Sequence, residues 1–221
     1  MGRLVRHPRL RCENSALGAR EAAAVSPTSP ALYSLSIEII RVCWLTFAVV
    51  WLLAAFVNKR SIYKENRWQR LRYSILLVVG YLLLANGNRL GHPLAFRVIP
   101  RSNVIALGSA LLCIAGLLFC LWARATLGRN WSGTITLKEG HELIVRGPYR
   151  IVRHPIYTGL LAMFIATVAA TGHVAAILGA VLAFISIWIK LNQEEALMLQ
   201  QFPGDYAAYR QKTKRLIPFV L

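Results

Sequence analysis

Two polar clusters lie at the two ends of a long apolar stretch in the carboxyl-terminal half of the chain. The first reads Arg153-His154-Pro155 and continues to Tyr157. Proline favours the first position of a helix and restricts the preceding residue to an extended conformation, so His154 should lie at a helix N-terminus. The free N–H groups and the dipole of such a terminus attract a carboxylate or another anion. The first cluster therefore predicts an anion-binding turn that the Tyr157 hydroxyl can also reach.

The second cluster carries both signs of charge. Lys190 and Glu194 are four residues apart and share one face of a helix, and Glu195 follows directly. Acidic residues are scarce in this chain, nine in all, so an adjacent pair of glutamates marks a candidate site. The alternative is an ordinary belt of snorkelling side chains with an exposed ion pair. The residue types alone do not decide between these two interpretations.

A helical hairpin is predicted between the two clusters. The apolar stretch at 156–189 is too long for a single membrane crossing, and the sequence T-G-H at 171–173 interrupts it near the middle. This pattern predicts two helices, at 156–170 and 174–191. A tight hairpin places the start of its first helix beside the end of its second. The side chains predicted to converge in one polar pocket at the membrane interface are His154, Tyr157, Lys190 and Glu194. Small residues at helical spacing permit close helix contact within this region, namely Ala166, Ala170, Gly179 and Ala183.

Apolar runs of membrane-spanning length occur along the rest of the chain, which has 221 residues and is 56% hydrophobic. Residues 37–57 carry charges only at one end, residues 104–123 carry none, and a shorter run covers 71–86. About 20 apolar residues span the hydrocarbon core of a bilayer as a helix. We predict an all-α integral membrane protein with about five transmembrane helices, a C-terminal helical hairpin and a cytoplasmic cofactor pocket. A soluble helical bundle would need polar faces that these runs lack.

Three segments differ in character. Residues 1–35 form a basic tail that is predicted to be disordered, and residues 36–123 hold three transmembrane spans. Residues 124–221 form the predicted catalytic region, which consists of a cofactor loop, the transmembrane hairpin at 156–191 and an amphipathic C-terminal tail.

Basic residues concentrate on one side of a five-span protein. They occur in the loops at 58–72 and 124–155 and in the segment from Lys190 to the end of the chain. The excess of Lys and Arg in cytoplasmic loops predicts a multi-pass protein whose active site faces the cytoplasm. Anionic lipid headgroups explain the net charge of +17, so the bilayer is the expected partner and nucleic acid is not.

Several spaced motifs in 124–221 resemble the isoprenylcysteine carboxyl methyltransferase family, whose wider group includes phospholipid N-methyltransferases. In chain order they read G-P-Y-x-x-V-R-H-P-x-Y-x-G, K-x-x-x-E-E, F-P-G-D-Y-x-x-Y and R-L-I-P-F. The first 100 residues resemble the family only in being hydrophobic spans.

The resemblance implies S-adenosylmethionine as the cofactor and S-adenosylhomocysteine as its product, bound on the cytosolic side between the H-P-x-Y turn and the last helix. It assigns cofactor contacts to His141, Glu142, Leu143, Ile144, Tyr149, His154, Pro155, Ile156, Tyr157 and Glu194. It assigns catalysis to Lys190 and Glu194, with Lys190 orienting the substrate carboxylate, and it implies no metal. Eukaryotic members place arginine at the position of Lys190; lysine keeps the charge but loses the bidentate fork.

We therefore predict a membrane-embedded S-adenosylmethionine-dependent methyltransferase. The expected reaction is carboxyl O-methylation of an isoprenylcysteine-like or other lipidic substrate, that is, a lipid-like or prenylated small molecule or protein. One alternative is a phospholipid amine N-methyltransferase on the same scaffold. A further alternative is a sterol-type NADPH-dependent membrane reductase, which carries a similar R-H-P-x-Y turn, although the adjacent Glu194 and Glu195 and the five-span body argue against it. A non-enzymatic membrane scaffold is the last alternative.

Overall fold

The computed structural model describes residues 29–55, 61–64, 66–128, 131, 136–138 and 143–218, and helices account for most of them. The α-helices in these ranges are α1 (Pro30–Ala55), α2 (Arg67–Asn86), α3 (Asn103–Leu127), α4 (Pro155–Thr171), α5 (Val174–Gln201) and α6 (Pro203–Lys212). Strands β1 (Ser61–Lys64) and β2 (Thr136–Lys138) pair in antiparallel fashion. The predicted all-α class is confirmed, and this strand pair is a small addition that was not predicted from the sequence.

Helix length and composition identify a multi-pass membrane protein. The segments that are long and apolar enough to cross a bilayer are Pro30–Ala54, Arg67–Arg89, Asn103–Leu127 and Val174–Gln201. Helix α4 is apolar as well, but its 17 residues are fewer than the about 20 that a straight crossing needs. Five apolar helices are therefore present in the described part of the chain, and four of them have spanning length.

Two helix boundaries differ from the predicted ones. Helix α1 begins at Pro30 and not at 36, so it takes in residues assigned to the basic tail, while residues 1–28 lie outside the described residues. Helix α5 continues to Gln201 and does not stop at 191, because the residues that follow the apolar run are mostly good helix formers such as Gln, Glu, Ala and Leu. This extension carries the two glutamates of the second polar cluster.

The predicted hairpin joins α4 to α5 through a tight turn. Gly172 adopts a φ of 68°, which glycine takes without strain, and its N–H donates to the Val168 carbonyl. Arg97, in the loop between α2 and α3, donates to the carbonyls of Ala170 and Thr171. This loop therefore satisfies the C-terminal end of α4 at the end of the bundle away from the polar clusters.

Each arm of the hairpin packs mainly against a different neighbour. Helix α4 lies along α3 and α5 lies along α2, whereas α4 and α5 meet over a shorter stretch. Glycines allow both close approaches. A Cβ on Gly159 would stand 2.5 Å from the Gly116 carbonyl oxygen, and one on Gly80 would stand 2.7 Å from the Gly179 carbonyl oxygen. The small residues predicted to permit close contact are buried, namely Ala166, Ala170, Gly179 and Ala183.

The segment after α6 returns to the start of α4. Residues 213–218 run beside the His154-Pro155 turn, where the Arg153 N–H donates to the Lys214 carbonyl and the His154 N–H donates to the Arg215 carbonyl. Leu216 is buried in the core formed by α2, α4 and α5. The C-terminal segment is therefore part of the wall around the region where the polar clusters meet.

Candidate active site

The His154-Pro155 turn begins α4, as the sequence predicts. Pro155 lies in the first turn of the helix, and the His154 side chain at the N-cap makes no capping hydrogen bond. The imidazole is instead mostly buried and stacks on the Tyr157 ring, with 5.7 Å between the ring centroids. The turn therefore leaves a helix N-terminus without a side-chain cap next to the imidazole, which suits an anionic group of a ligand.

Three of the four side chains that were predicted to converge surround the fourth, Glu194. The Tyr157 hydroxyl donates to Glu194 Oε1 at 2.7 Å, and Lys190 Nζ lies 3.9 Å from the same oxygen. His154 Nδ1 lies 3.7 Å from Glu194 Oε2. Lys190 and Glu194 expose only 16% and 26% of their side chains, which favours a built polar pocket over a belt of exposed ion pairs. The convergence is confirmed, and the roles assigned to these residues stay predictions.

The adjacent carboxylate, that of Glu195, is almost fully buried. Its Oε1 accepts a 2.8 Å hydrogen bond from Arg153 Nε and lies 3.2 Å from His154 Nε2. Its Oε2 lies 3.0 Å from Arg215 Nη2 and 3.8 Å from Arg210 Nε. One carboxylate thus joins the start of α4 to α5, α6 and the C-terminal segment. This network was not predicted from the sequence, although the R-H-P-x-Y and R-L-I-P-F motifs contain two of its arginines.

The ammonium group of Lys190 faces two tyrosine rings. Its Nζ lies 5.6 Å from the ring centroid of Tyr73 and 5.7 Å from that of Tyr157. Tyr73 belongs to α2 and is buried, and Ser186 Oγ donates to its carbonyl oxygen at 2.6 Å. Tyr73 was not predicted from the sequence, because the residue lies far along the chain from both polar clusters and only the packing of α2 on α5 brings it here.

Tyr149 lies in a short 3-10 turn, Gly147–Arg150, that precedes α4. Burial raises the pKa of its hydroxyl well above the ordinary value, and the negative charge of Glu194 raises that pKa further. The hydroxyl therefore stays protonated at neutral pH and can donate a hydrogen bond to a ligand. The Tyr149 carbonyl accepts a hydrogen bond from the Tyr209 hydroxyl, which ties this turn to α6.

The remaining predicted cofactor contacts lie before the Gly147–Arg150 turn and in the first turn of α4. Leu143 and Ile144 are half-buried and lead into the Gly147–Arg150 turn. Pro155 is buried, and the Ile156 carbonyl accepts a 3.3 Å hydrogen bond from Cys120 Sγ. The predicted contacts His141 and Glu142 lie outside the described residues. The described structure therefore brings Tyr149, His154 and Tyr157 close to Glu194, and all of the cofactor contacts stay predictions.

Comparison with known proteins relates the chain to methyltransferases. Residues 104–205 match the family model described as phospholipid methyltransferase, and both polar clusters fall within this range. The chain is similar to protein-S-isoprenylcysteine O-methyltransferase B of Arabidopsis thaliana, at 33% identity over 98 residues, which cover 43% of this chain and 50% of the relative. The matched region therefore spans half the length of that relative.

Two further relatives extend the comparison. A probable protein-S-isoprenylcysteine O-methyltransferase of Oryza sativa subsp. indica is 26% identical over 175 residues, which cover 76% of this chain and 87% of the relative. Methanethiol S-methyltransferase 1 of Bradyrhizobium diazoefficiens is 36% identical over 72 residues, which cover 32% of this chain and 24% of the relative. The names of these relatives agree on methyl transfer and differ in the atom that receives the methyl group.

Proposed function

Because residues 104–205 match the phospholipid methyltransferase family model and the chain is similar to protein-S-isoprenylcysteine O-methyltransferases, we propose that it is a membrane-embedded S-adenosylmethionine-dependent methyltransferase. The proposed reaction is transfer of a methyl group to the carboxylate of an isoprenylcysteine-like or other lipidic acceptor. The observation that carries this proposal is the partly exposed carboxylate of Glu194, held between the Tyr157 hydroxyl and the Lys190 ammonium at a membrane interface.

The residues around Glu194 fit the proposed cofactor. S-adenosylmethionine supplies an electrophilic methyl group on a sulfonium cation, and it also carries a carboxylate, an amino group and a ribose. The uncapped N-terminus of α4 and the His154 ring would hold the carboxylate. Glu194 would accept hydrogen bonds from the amino or ribose groups, since a carboxylate makes strong bonds to such donors. The protonated Tyr149 hydroxyl offers a further donor beside them.

The acceptor side of the pocket needs alignment rather than proton transfer. A carboxylate acceptor is ionised at neutral pH, so no general base has to remove a proton. Lys190 would attract that carboxylate, and the buried surroundings of Lys190 strengthen the attraction. Proximity and orientation in the pocket would then supply most of the rate enhancement. An apolar tail would reach this pocket laterally from the bilayer, while the cofactor enters from water.

The charge distribution supports an active site that faces the cytoplasm. The pocket lies at the end of the bundle where α2 begins, α4 begins and α5 ends. Basic residues of the described ranges concentrate at this end, including Arg67, Arg70, Arg150, Lys212 and Lys214. Cytoplasmic loops of membrane proteins carry such an excess of Lys and Arg.

Cofactor binding and methyl transfer by the detergent-purified full chain test the proposal. We expect the protein to bind S-adenosylhomocysteine in calorimetry and to transfer label from S-adenosyl-[methyl-³H]methionine to an S-farnesylcysteine derivative with a free carboxylate. Glu194→Ala should abolish both. Glu38→Ala, the same change in an exposed ion pair on α1, is the matched control and should alter neither. An absence of cofactor binding in the wild-type protein would end the proposal.

A second candidate function is methylation of a lipid amine. The match to the family model described as phospholipid methyltransferase supports this candidate. An ammonium acceptor must lose a proton before or during transfer, and Glu194 is the partly exposed carboxylate that can accept it. The two reactions are separated by incubating membranes that contain the protein with labelled methyl donor. Label released by mild base is an ester, and label that resists base is an N-methyl group.

A further inference from the structure

Two aromatic rings from different helices lie against the Lys190 ammonium. Lys190 projects from α5, while the rings come from α2 and α4: Nζ lies 5.6 Å from the Tyr73 centroid and 5.7 Å from the Tyr157 centroid. Such distances are within the range of cation–π attraction, which strengthens when the groups are shielded from water. Tyr73 is 4% exposed, so this contact is shielded. Tyr73 also lies outside the residues 104–205 that match the family model.

A hydrogen bond fixes the backbone of Tyr73 against α5. Ser186 Oγ donates to the Tyr73 carbonyl at 2.6 Å, and Ser186 lies one turn before Lys190 on the same face of α5. Two turns further along α2, Gly80 and Gly179 bring the two helices into backbone contact. The ring position of Tyr73 relative to Lys190 is therefore set by a close helix pair and not by a flexible loop.

Lysine needs such support more than arginine does. Its ammonium is a point charge on a flexible four-carbon stem, whereas the guanidinium of arginine presents a rigid fork to a carboxylate. Two ring faces and the Glu194 carboxylate, 3.9 Å away, surround the Lys190 ammonium and restrict its position. A restricted cation can meet an anion at lower entropic cost, and it repels a cationic acceptor.

We propose that Tyr73 is a positioning residue of the acceptor site, which together with Tyr157 holds the Lys190 ammonium where it selects an anionic headgroup. This inference rests on the proposed function for the identity of the acceptor. It predicts that loss of the ring at 73 weakens acceptor binding, while the affinity for cofactor, which depends on Glu194 and the start of α4, is kept. A purely structural role for Tyr73 in packing α2 on α5 predicts that both affinities, or neither, change.

The first experiment measures the ammonium itself and needs no methyltransferase activity. The detergent-solubilised full chain is treated briefly with acetic anhydride, and acetylation of Lys190 relative to exposed Lys212 is quantified by mass spectrometry. We expect Tyr73→Leu to raise the relative labelling rate of Lys190 several-fold, because the ammonium becomes accessible and less firmly held. Tyr81→Leu, the same change at a half-exposed position of α2, is the control and should leave the rate unchanged. Equal rates in Tyr73→Leu and wild type would overturn the proposal.

The second experiment changes the ring without changing its shape, which guards against misfolding of Tyr73→Leu. Position 73 receives phenylalanine and then phenylalanines with increasing ring fluorination, which weakens cation attraction at nearly constant volume. We expect KM for a farnesylcysteine carboxylate to rise stepwise, by about tenfold over the series, the worth of a shielded cation–π contact. The relative labelling rate of Lys190 should rise in parallel, with S-adenosylhomocysteine affinity constant. Lys190→Arg in the most fluorinated variant should restore part of the KM.

The outcomes separate the two proposals. A flat labelling rate across the fluorinated series contradicts the role of Tyr73, whatever the enzyme does. A rising labelling rate of Lys190 in a protein that transfers no methyl group contradicts the proposed function. It still supports the conclusion that the rings of Tyr73 and Tyr157 hold the Lys190 ammonium. A rising rate with an unchanged KM shows that the rings hold Lys190 without serving the acceptor, and this overturns the positioning role.

Discussion

Arg153 Nε donates a 2.8 Å hydrogen bond to Glu195 Oε1, and both side chains are almost completely buried. Arg153 also donates to the carbonyls of Arg210 and Thr213, so its guanidinium ties the start of α4 to α6 and the C-terminal segment. Glu195 in turn lies beside the imidazole of His154. This buried pair therefore fixes the turn from which the site residues of α4 project.

Removal of Glu195 should destabilise the protein strongly. Glu195→Ala leaves the buried Arg153 guanidinium without its counter-charge, and the loss of one partner of a buried pair costs about 3–5 kcal/mol. The measurement is thermal and denaturant unfolding of the full chain in detergent. Glu38→Ala breaks the exposed Arg41–Glu38 pair and should cost less than about 1 kcal/mol. Similar losses in the two variants would show that the buried pair contributes no more than an exposed one.

Removal of the Tyr157 hydroxyl should weaken cofactor binding while the fold is kept. Tyr157→Phe deletes the donor that orients Glu194 Oε1, and one hydrogen bond to a charged group is worth roughly a factor of ten in affinity. The readout is the dissociation constant of S-adenosylhomocysteine in calorimetry, with Phe164→Leu, on the same helix, as a packing control. An unchanged dissociation constant would mean that Glu194 is oriented by Lys190 and His154 alone.

Two neighbouring residues of the C-terminal segment should differ in their effect on stability. Leu216 is 1% exposed and Ile217 is 50% exposed. Leu216→Ala removes a buried side chain and should lower the free energy of unfolding by about 2–5 kcal/mol. Ile217→Ala should change it by less than about 0.5 kcal/mol. Equal effects on the unfolding midpoint would contradict the docking of this segment against α4.

Substitution of two glycines should move stability in opposite directions. A Cβ on Gly159 would meet the Gly116 carbonyl oxygen and Cys120 Sγ, each at 2.5 Å, so Gly159→Ala must push α4 away from α3. A Cβ on Gly108 meets no atom within 4 Å, and alanine there should stabilise α3 by up to about 1 kcal/mol through helix propensity. Thermal unfolding of the two variants gives the comparison. A stabilising Gly159→Ala would show that α3 and α4 have room between them.

The hairpin and the convergence of its ends were predictable from the sequence. Uncharged runs of sufficient length specify membrane helices, and the T-G-H interruption at 171–173 marked the turn that Gly172 makes. Contact between Tyr157 and Glu194 followed from the hairpin, because antiparallel neighbours bring their outer ends together. The end of α5 was less accessible to prediction, since its last turns continue as helix beyond the apolar run that marks the membrane.

The two adjacent glutamates show where sequence reasoning stops. Consecutive residues on a helix point about 100° apart, so Glu194 and Glu195 cannot face the same neighbours. Which one enters the protein interior depends on the rotation of α5, and that rotation is set by its packing against α2 and α4. The structure buries Glu195 among arginines and leaves Glu194 partly exposed beside Tyr157.

By itself the sequence determined the all-α membrane class of the protein, the positions of its apolar helices along the chain, the hairpin, and the motifs that relate it to membrane methyltransferases. These properties follow from local patterns of hydrophobicity, turn residues and spacing. The tertiary structure alone decided that α2 pairs with α5 and α3 with α4, and therefore that Tyr73 faces Lys190. Helix partners are chosen by surface shape, here by glycines that allow backbones to touch, and shape arises only when segments distant in the chain pack together.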